Sequence, residues 1–150
     1  MKASLKKPGP AHLLMLDDNK MGLTARKAVM EELGYQVSSA ATPAEALEKL
    51  TKDQVDLVIT DYKMPGMNGT EFIKRMRKQE CVTPVILISG FVDALGLNEA
   101  NTGADVVILK SAHEVSNMVR SVKSLLKRSS AKKPAASQAA SRTAARKQRA

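Results

Sequence analysis

Apolar positions along the first 127 residues follow two alternating rhythms. Residues 13–16, 55–59, 85–88 and 106–109 are blocks of Leu, Ile, Val and Met with little polar interruption. Such runs read as strands buried on both faces, the habit of a parallel sheet. Residues 35–39, Tyr-Gln-Val-Ser-Ser, form a weaker strand. Between the blocks the spacing changes to three and four. Residues 20–33 carry Met21, Ala25, Ala28, Val29 and Leu33 on one stripe, and Gly34 supplies the stop. Thr42-Pro43-Ala44-Glu45 has the form of a capping box with proline at the first helical position, ahead of an inward Ala46, Leu47 and Leu50. Residues 70–78 place Phe72, Ile73 and Met76 inward and Lys74, Arg75, Arg77 and Lys78 outward. Residues 91–102 predict a helix of low regularity containing Gly96. Residues 114–126 have the cleanest stripe, Val115, Met118, Val119, Val122, Leu125 and Leu126. Five strand–helix units in succession predict a doubly wound α/β fold, with a five-stranded parallel sheet and helices on both faces.

Polar residues gather where the strands run out. The first strand ends in Asp17-Asp18, the third in Asp61, the fourth in Ser89-Gly90 and the fifth in Lys110. After Asp61 come Pro65-Gly66, suited to the centre of a type II turn, and Asn68-Gly69 as a second break. Open α/β sheets place their ligands at the carboxyl ends of their strands. Parallel neighbours would bring three carboxylates, a hydroxyl and an ammonium to that edge. Carboxylates so close repel one another unless a cation joins them. An all-oxygen site with few protein ligands suits magnesium beside a phosphate. Metal, acceptor carboxylate and lysine together make a phosphoryl-transfer site.

The order Asp-Asp, then Asp-x-x-Met-Pro-Gly-Met-Asn-Gly, then Ser, then Lys, resembles the receiver domain of two-component response regulators, over about residues 11–127. The resemblance implies the strand order 2-1-3-4-5. It makes Asp61 the phosphoryl acceptor, with Lys110 paired to it and Ser89 hydrogen-bonded to the phosphoryl group. Asp18, Asp61 and the backbone carbonyl of Lys63 become magnesium ligands, with Asp17 acting through water. The phosphoryl donor would be a histidine kinase or a phosphotransfer protein, and the signal would pass to a downstream protein partner. The chain would be no enzyme beyond removal of its own phosphate. Lys63 and Phe91 would flank the site.

Two departures from the family pattern concern the output. The position three before the lysine, often aromatic, is Val107. The residue after the lysine, often a proline in a cis bond, is Ser111. A cis bond before a non-proline costs about 3–4 kcal/mol, so a trans bond and an altered loop are expected.

Charge separates the chain into parts. The formal net charge is +9, yet residues 1–126 hold 16 Lys and Arg against all 15 Asp and Glu. The other 8 basic residues fall in 127–150 with no acid. The expected organisation is a flexible segment 1–10, a receiver domain 11–127 and a disordered basic tail 128–150. Neither a repeat nor a second folded unit, such as a helix-turn-helix, is apparent. The single cysteine, Cys81, forbids an internal disulfide and points to a reducing cytoplasmic compartment. No stretch approaches the length of a membrane span, so a soluble protein with no membrane partner is expected. His12 and His113 lack metal-ligand spacing and read as loop or strand-edge residues. The alternative function is a nucleic-acid-associated protein whose tail binds phosphates non-specifically above a passive receiver-like scaffold. A metal-dependent phosphatase is the weaker third reading, because no general acid follows Asp61 at the expected spacing.

Overall fold

The computed structural model describes residues 9–136, with side chains as far as Ser129. Five strands, β1 (His12–Leu16), β2 (Gln36–Ala40), β3 (Leu57–Asp61), β4 (Val85–Ser89) and β5 (Val106–Leu109), form one parallel sheet in the order β2-β1-β3-β4-β5. The helices are α1 (Lys20–Glu32), α2 (Pro43–Lys52), α3 (Gly69–Lys78), the single turns α4 (Val92–Leu95) and α5 (Glu99–Thr102), and α6 (Glu114–Ala136). The expected fold and strand order are both present.

Period two sorts the strand side chains into two cores. Leu13, Met15, Leu57, Ile59, Ile86 and Ile88 face Met30 of α1 and Met118, Val122 and Leu125 of α6. Leu14, Leu16, Val58, Val85 and Leu87 face Ala46 of α2 and Phe72, Ile73 and Met76 of α3. With both faces covered, no strand position had to be polar until the strand ended. Register then sets those ends level. Leu16 pairs with Thr60, Asp61 with Ile88, and Ser89 with Leu109. Asp17 and Lys110 each lie one step beyond. No helix among the described residues is long and apolar enough to cross a membrane.

Several local expectations are corrected. The α1 stripe is out of phase, since Met21 is 84% exposed and Leu33 48%. The inward residues are Leu23, Val29 and Met30, together with a buried arginine, Arg26. A charged residue on the core side hid the true stripe. Thr42 does cap α2, accepting from the Glu45 N–H at 3.2 Å, but Glu45 Oε1 accepts from Ala41 rather than closing a box. A complete box lies at α3, where Asn68 and Glu71 exchange bonds of 2.9 Å, so the supposed break at Asn68 is a helix start. Residues 91–102 form two single turns, because Gly96 adopts φ +62° and ends α4. Val115 is 42% exposed, leaving the α6 stripe to begin at Met118. Helix α6 continues to Ala136, past the expected end of order at Lys127. Adding a residue to an existing helix costs no nucleation, so α6 runs on past Lys127 although Pro134, two residues short of its end, opposes it. The segments 1–8 and 137–150, which hold most of the expected flexible start and basic tail, lie outside the described residues.

Gly69 permits α3 to dock against the end of β3. A Cβ there would lie 2.5 Å from Leu87 Cδ1 and 2.8 Å from the Asp61 carbonyl oxygen. The second of these is backbone and cannot yield like a side-chain tip. Gly69→Ala is expected to lower stability by about 1–3 kcal/mol through overpacking. Gly90→Ala, with nothing within 4 Å, should be near neutral. Denaturant midpoints compare the two, and equal midpoints would contradict this packing.

Candidate functional site

The level strand ends assemble an acidic pocket. Asp17, Asp18 and Asp61 each offer an oxygen such that all three lie within 4.8 Å of one another. Asp17 and Asp61 are buried, and Asp18 is exposed. Lys110 Nζ reaches across from the end of β5 to 2.7 Å from Asp61 Oδ1. At that distance the ammonium is both the charge partner and a hydrogen-bond donor of this buried oxygen. Burial pushes the Asp61 carboxyl up from its usual range. Lys110 opposes that shift and the Asp17 charge adds to it.

Asp17 is held on both oxygens. Its Oδ1 accepts from the Asn19 N–H at 2.9 Å, and its Oδ2 accepts from Arg26 Nη1 at 2.7 Å. Asn19 is the N-cap of α1, with Oδ1 accepting from the N–H groups of Met21 and Gly22. The other edge of the Arg26 guanidinium donates from Nε and Nη2 to Glu114 Oε2, at 3.2 and 3.1 Å. Burial lowers the Arg26 pKa, but the bonds and charges of Asp17 and Glu114 override it and the net direction is upward. Sequence reasoning missed Arg26 and Glu114. A helical stripe is sought among apolar residues, and no local pattern joins positions so far apart.

Ser89 is buried at the end of β4, where its Oγ accepts from the Phe91 N–H at 2.9 Å. Its hydroxyl proton is left to be donated. Lys63 is exposed, and its ammonium lies 5.3 Å from the centroid of the Phe91 ring, a cation–π contact. Asp18, Asp61, Lys63, Phe91 and Lys110 line one open cleft of about 450 Å³, room for a phosphoryl group and a hydrated ion. All the expected site residues are therefore at one edge. Val107 is half-buried at the edge of the α3-side core. Ser111 is exposed, with no cis peptide among the described residues. His12 corrects its expectation, being a buried first residue of β1. Its Nδ1 lies 3.0 Å from the Gln54 carbonyl and its Nε2 2.7 Å from Ser38 Oγ. His113 lies in the exposed loop before α6.

The chain is similar to known proteins in sequence and fold. The family model described as the response regulator receiver domain matches residues 13–130. The alkaline phosphatase synthesis transcriptional regulatory protein PhoP of Bacillus subtilis is 31% identical over 116 residues, covering 73% of this chain and 47% of PhoP. Sporulation initiation phosphotransferase F of the same organism is 35% identical over 79 residues, covering 53% of this chain and 64% of that protein. The chain thus spans less than half the length of PhoP. Among solved structures, a CheY-like receiver domain protein from Methanospirillum hungatei superimposes with a TM-score of 0.74 at 27% identity, covering 83% of this chain and 99% of that one. The response regulator TrrA of Thermotoga maritima, in complex with Mg(2+)-BeF, gives 0.67 at 29% identity, covering 77% and 98%.

The raised Asp61 carboxyl has a consequence for stability in metal-free solution. A group whose folded pKa lies above its unfolded value favours folding at low pH, and loses that contribution as pH rises through the folded pKa. At neutral pH the ionised Asp61 therefore opposes folding. Asp61→Asn should raise the melting temperature at pH 7 in EDTA, with the gain shrinking as pH falls into the ordinary carboxyl range. Melting curves at several pH values test this. A lower melting temperature at pH 7 would contradict the sign.

Proposed function

The chain belongs to the response regulator receiver domain family, and from that membership we propose that it takes a phosphoryl group onto Asp61 in a two-component phosphorelay. The observation that carries this is Asp61 itself, a buried carboxylate at the end of β3 that lines the open cleft and pairs with Lys110 at 2.7 Å. Burial keeps the carboxylate poorly solvated, so little hydration has to be shed before one of its oxygens acts as the nucleophile. The oxygen attacks phosphorus as the donor's bond to phosphorus breaks, and that bond's electron pair leaves with the donor. The product is an acyl phosphate. Lys110 is positioned to follow a phosphoryl oxygen, and the Ser89 hydroxyl to donate to another.

The donor set fits magnesium, being all oxygen, with three carboxylate oxygens within 4.8 Å of one another and only two cations paired to them. Asp18, Asp61 and the Lys63 carbonyl would hold the ion directly and Asp17 through water. When bound, magnesium offsets charge on the carboxylates and the phosphoryl oxygens. The donor is a histidine kinase or a phosphotransfer protein, and output passes through a changed affinity for a protein partner. Residues 11–127 carry this activity, in a cytoplasmic setting suited to the lone thiol. The basic stretch 128–150 is an appendage to it, and no observation favours nucleic acid as its partner.

Incubation with acetyl phosphate and magnesium, followed by intact-mass measurement, is expected to add one phosphoryl group. Asp61→Asn should abolish the addition while the protein stays folded. Labelling of that variant, or none of the wild type, would overturn the assignment.

The acyl phosphate should be lost slowly, because Phe91 has no group to orient an attacking water and its ring is tied to Lys63. Phe91→Ser should speed phosphate loss severalfold. A lifetime unchanged or lengthened in that variant would show that Phe91 does not shield the site.

A further inference from the structure

Each buried carboxylate of the pocket has its own internal cation. Asp61 has Lys110 and Asp17 has Arg26, while the exposed Asp18 has no ion-pair partner among the described residues. The two cations differ in kind. Lys110 is over a third exposed along its side chain, whereas Arg26 is 8% exposed as a residue and sealed under α1 and α6. Arg26 cannot swing away to water as Lys110 can. Its three donating nitrogens are committed, Nη1 to Asp17 and Nε with Nη2 to Glu114. A metal ion entering the pocket therefore meets a fixed positive charge behind Asp17, and a second carboxylate behind that.

We propose that Arg26 is a positioning residue that sets the magnesium affinity of the acidic pocket. It holds Asp17 in place and opposes the incoming ion, and Glu114 in turn offsets Arg26. This rests on the reading of the carboxylate cluster as a magnesium site. A unit charge roughly 6 Å from a divalent ion changes its binding by about tenfold even at a water-like dielectric. The contribution is therefore large enough to decide the magnesium concentration at which the site fills. It also differs from a scaffolding role in sign. Loss of scaffolding loosens the site and weakens binding, whereas loss of the opposing charge tightens it.

The test is calorimetric titration of the full chain with magnesium chloride at low ionic strength, alongside melting temperatures. Arg26→Gln should bind magnesium about tenfold more tightly while melting lower, since the buried Asp17 and the half-buried Glu114 lose their partner. Arg26→Lys, which keeps the charge and loses the fork, should melt lower with affinity near that of the wild type. Glu114→Gln leaves the Arg26–Asp17 contact in place and removes the offsetting charge, so it should bind more weakly. That variant reads the same effect with the opposite sign should Arg26→Gln fail to fold. Weaker or unchanged binding in a folded Arg26→Gln would overturn the proposal alone, as would unchanged or tighter binding in Glu114→Gln. Absence of magnesium binding by the wild type would overturn the site reading and the proposal together.

Discussion

Like charge held together at the edge of a parallel sheet is the constraint on which the molecule depends. Two of the three carboxylates are buried, and carboxylates leave water only when something offsets the loss. Lys110 and Arg26 supply the offset from opposite sides of the sheet edge. The offset is incomplete, since three carboxylates face two cations and the Asp61 carboxyl is pushed upward by burial. That residual imbalance is the chemical resource of the site. A pocket fully neutralised by its own side chains would have no use for a cation or a phosphoryl group.

The surrounding fold keeps that imbalance in a fixed geometry. Strand register levels Asp17, Asp61, Ser89 and Lys110, so their separation is set by interstrand spacing rather than by loop conformation. The flanking caps work in the same direction. Asn19 caps the start of α1 and its own N–H donates to Asp17, while Asn68 and Glu71 start α3 beside Gly69, where only hydrogen fits against β3. The site is thus carried by sheet and helix termini and only edged by loops.

Much of this was legible in the chain, for reasons that mark where legibility stops. Buried parallel strands are nearly uniform in hydrophobicity, so the four strong blocks and their polar ends were plain, and Asp17, Asp18, Asp61, Ser89 and Lys110 followed from those ends. The α1 face was misread because the position that penetrates deepest beside Asp17 is an arginine. Its burial depends on Glu114, a residue on another helix whose nearness is purely tertiary. The irregular 91–102 segment broke at Gly96 because a left-handed residue stops a helix whatever its neighbours prefer. Composition placed the end of order at Lys127, but helix propagation carried α6 on to Ala136.

The departures at Val107 and Ser111 gain meaning beside that missed contact. Val107 is small and joins the edge of the α3-side core, so it offers no ring to swing between two positions. A route from the pocket to the final helix nevertheless exists in the bonds Asp17–Arg26–Glu114, which end at the first residue of α6. Such a chain of contacts transmits a change only where a charge at one end alters the balance at the other. Phosphorylation of Asp61, as proposed, would alter it by adding negative charge to a pocket in which Arg26 is a committed cation. Arg26 would then divide its attraction between a more negative pocket and Glu114. The first turn of α6, where Val115 and Ser116 are exposed and Glu114 and Asn117 only half-buried, is less restrained by the core than the helix from Met118 on.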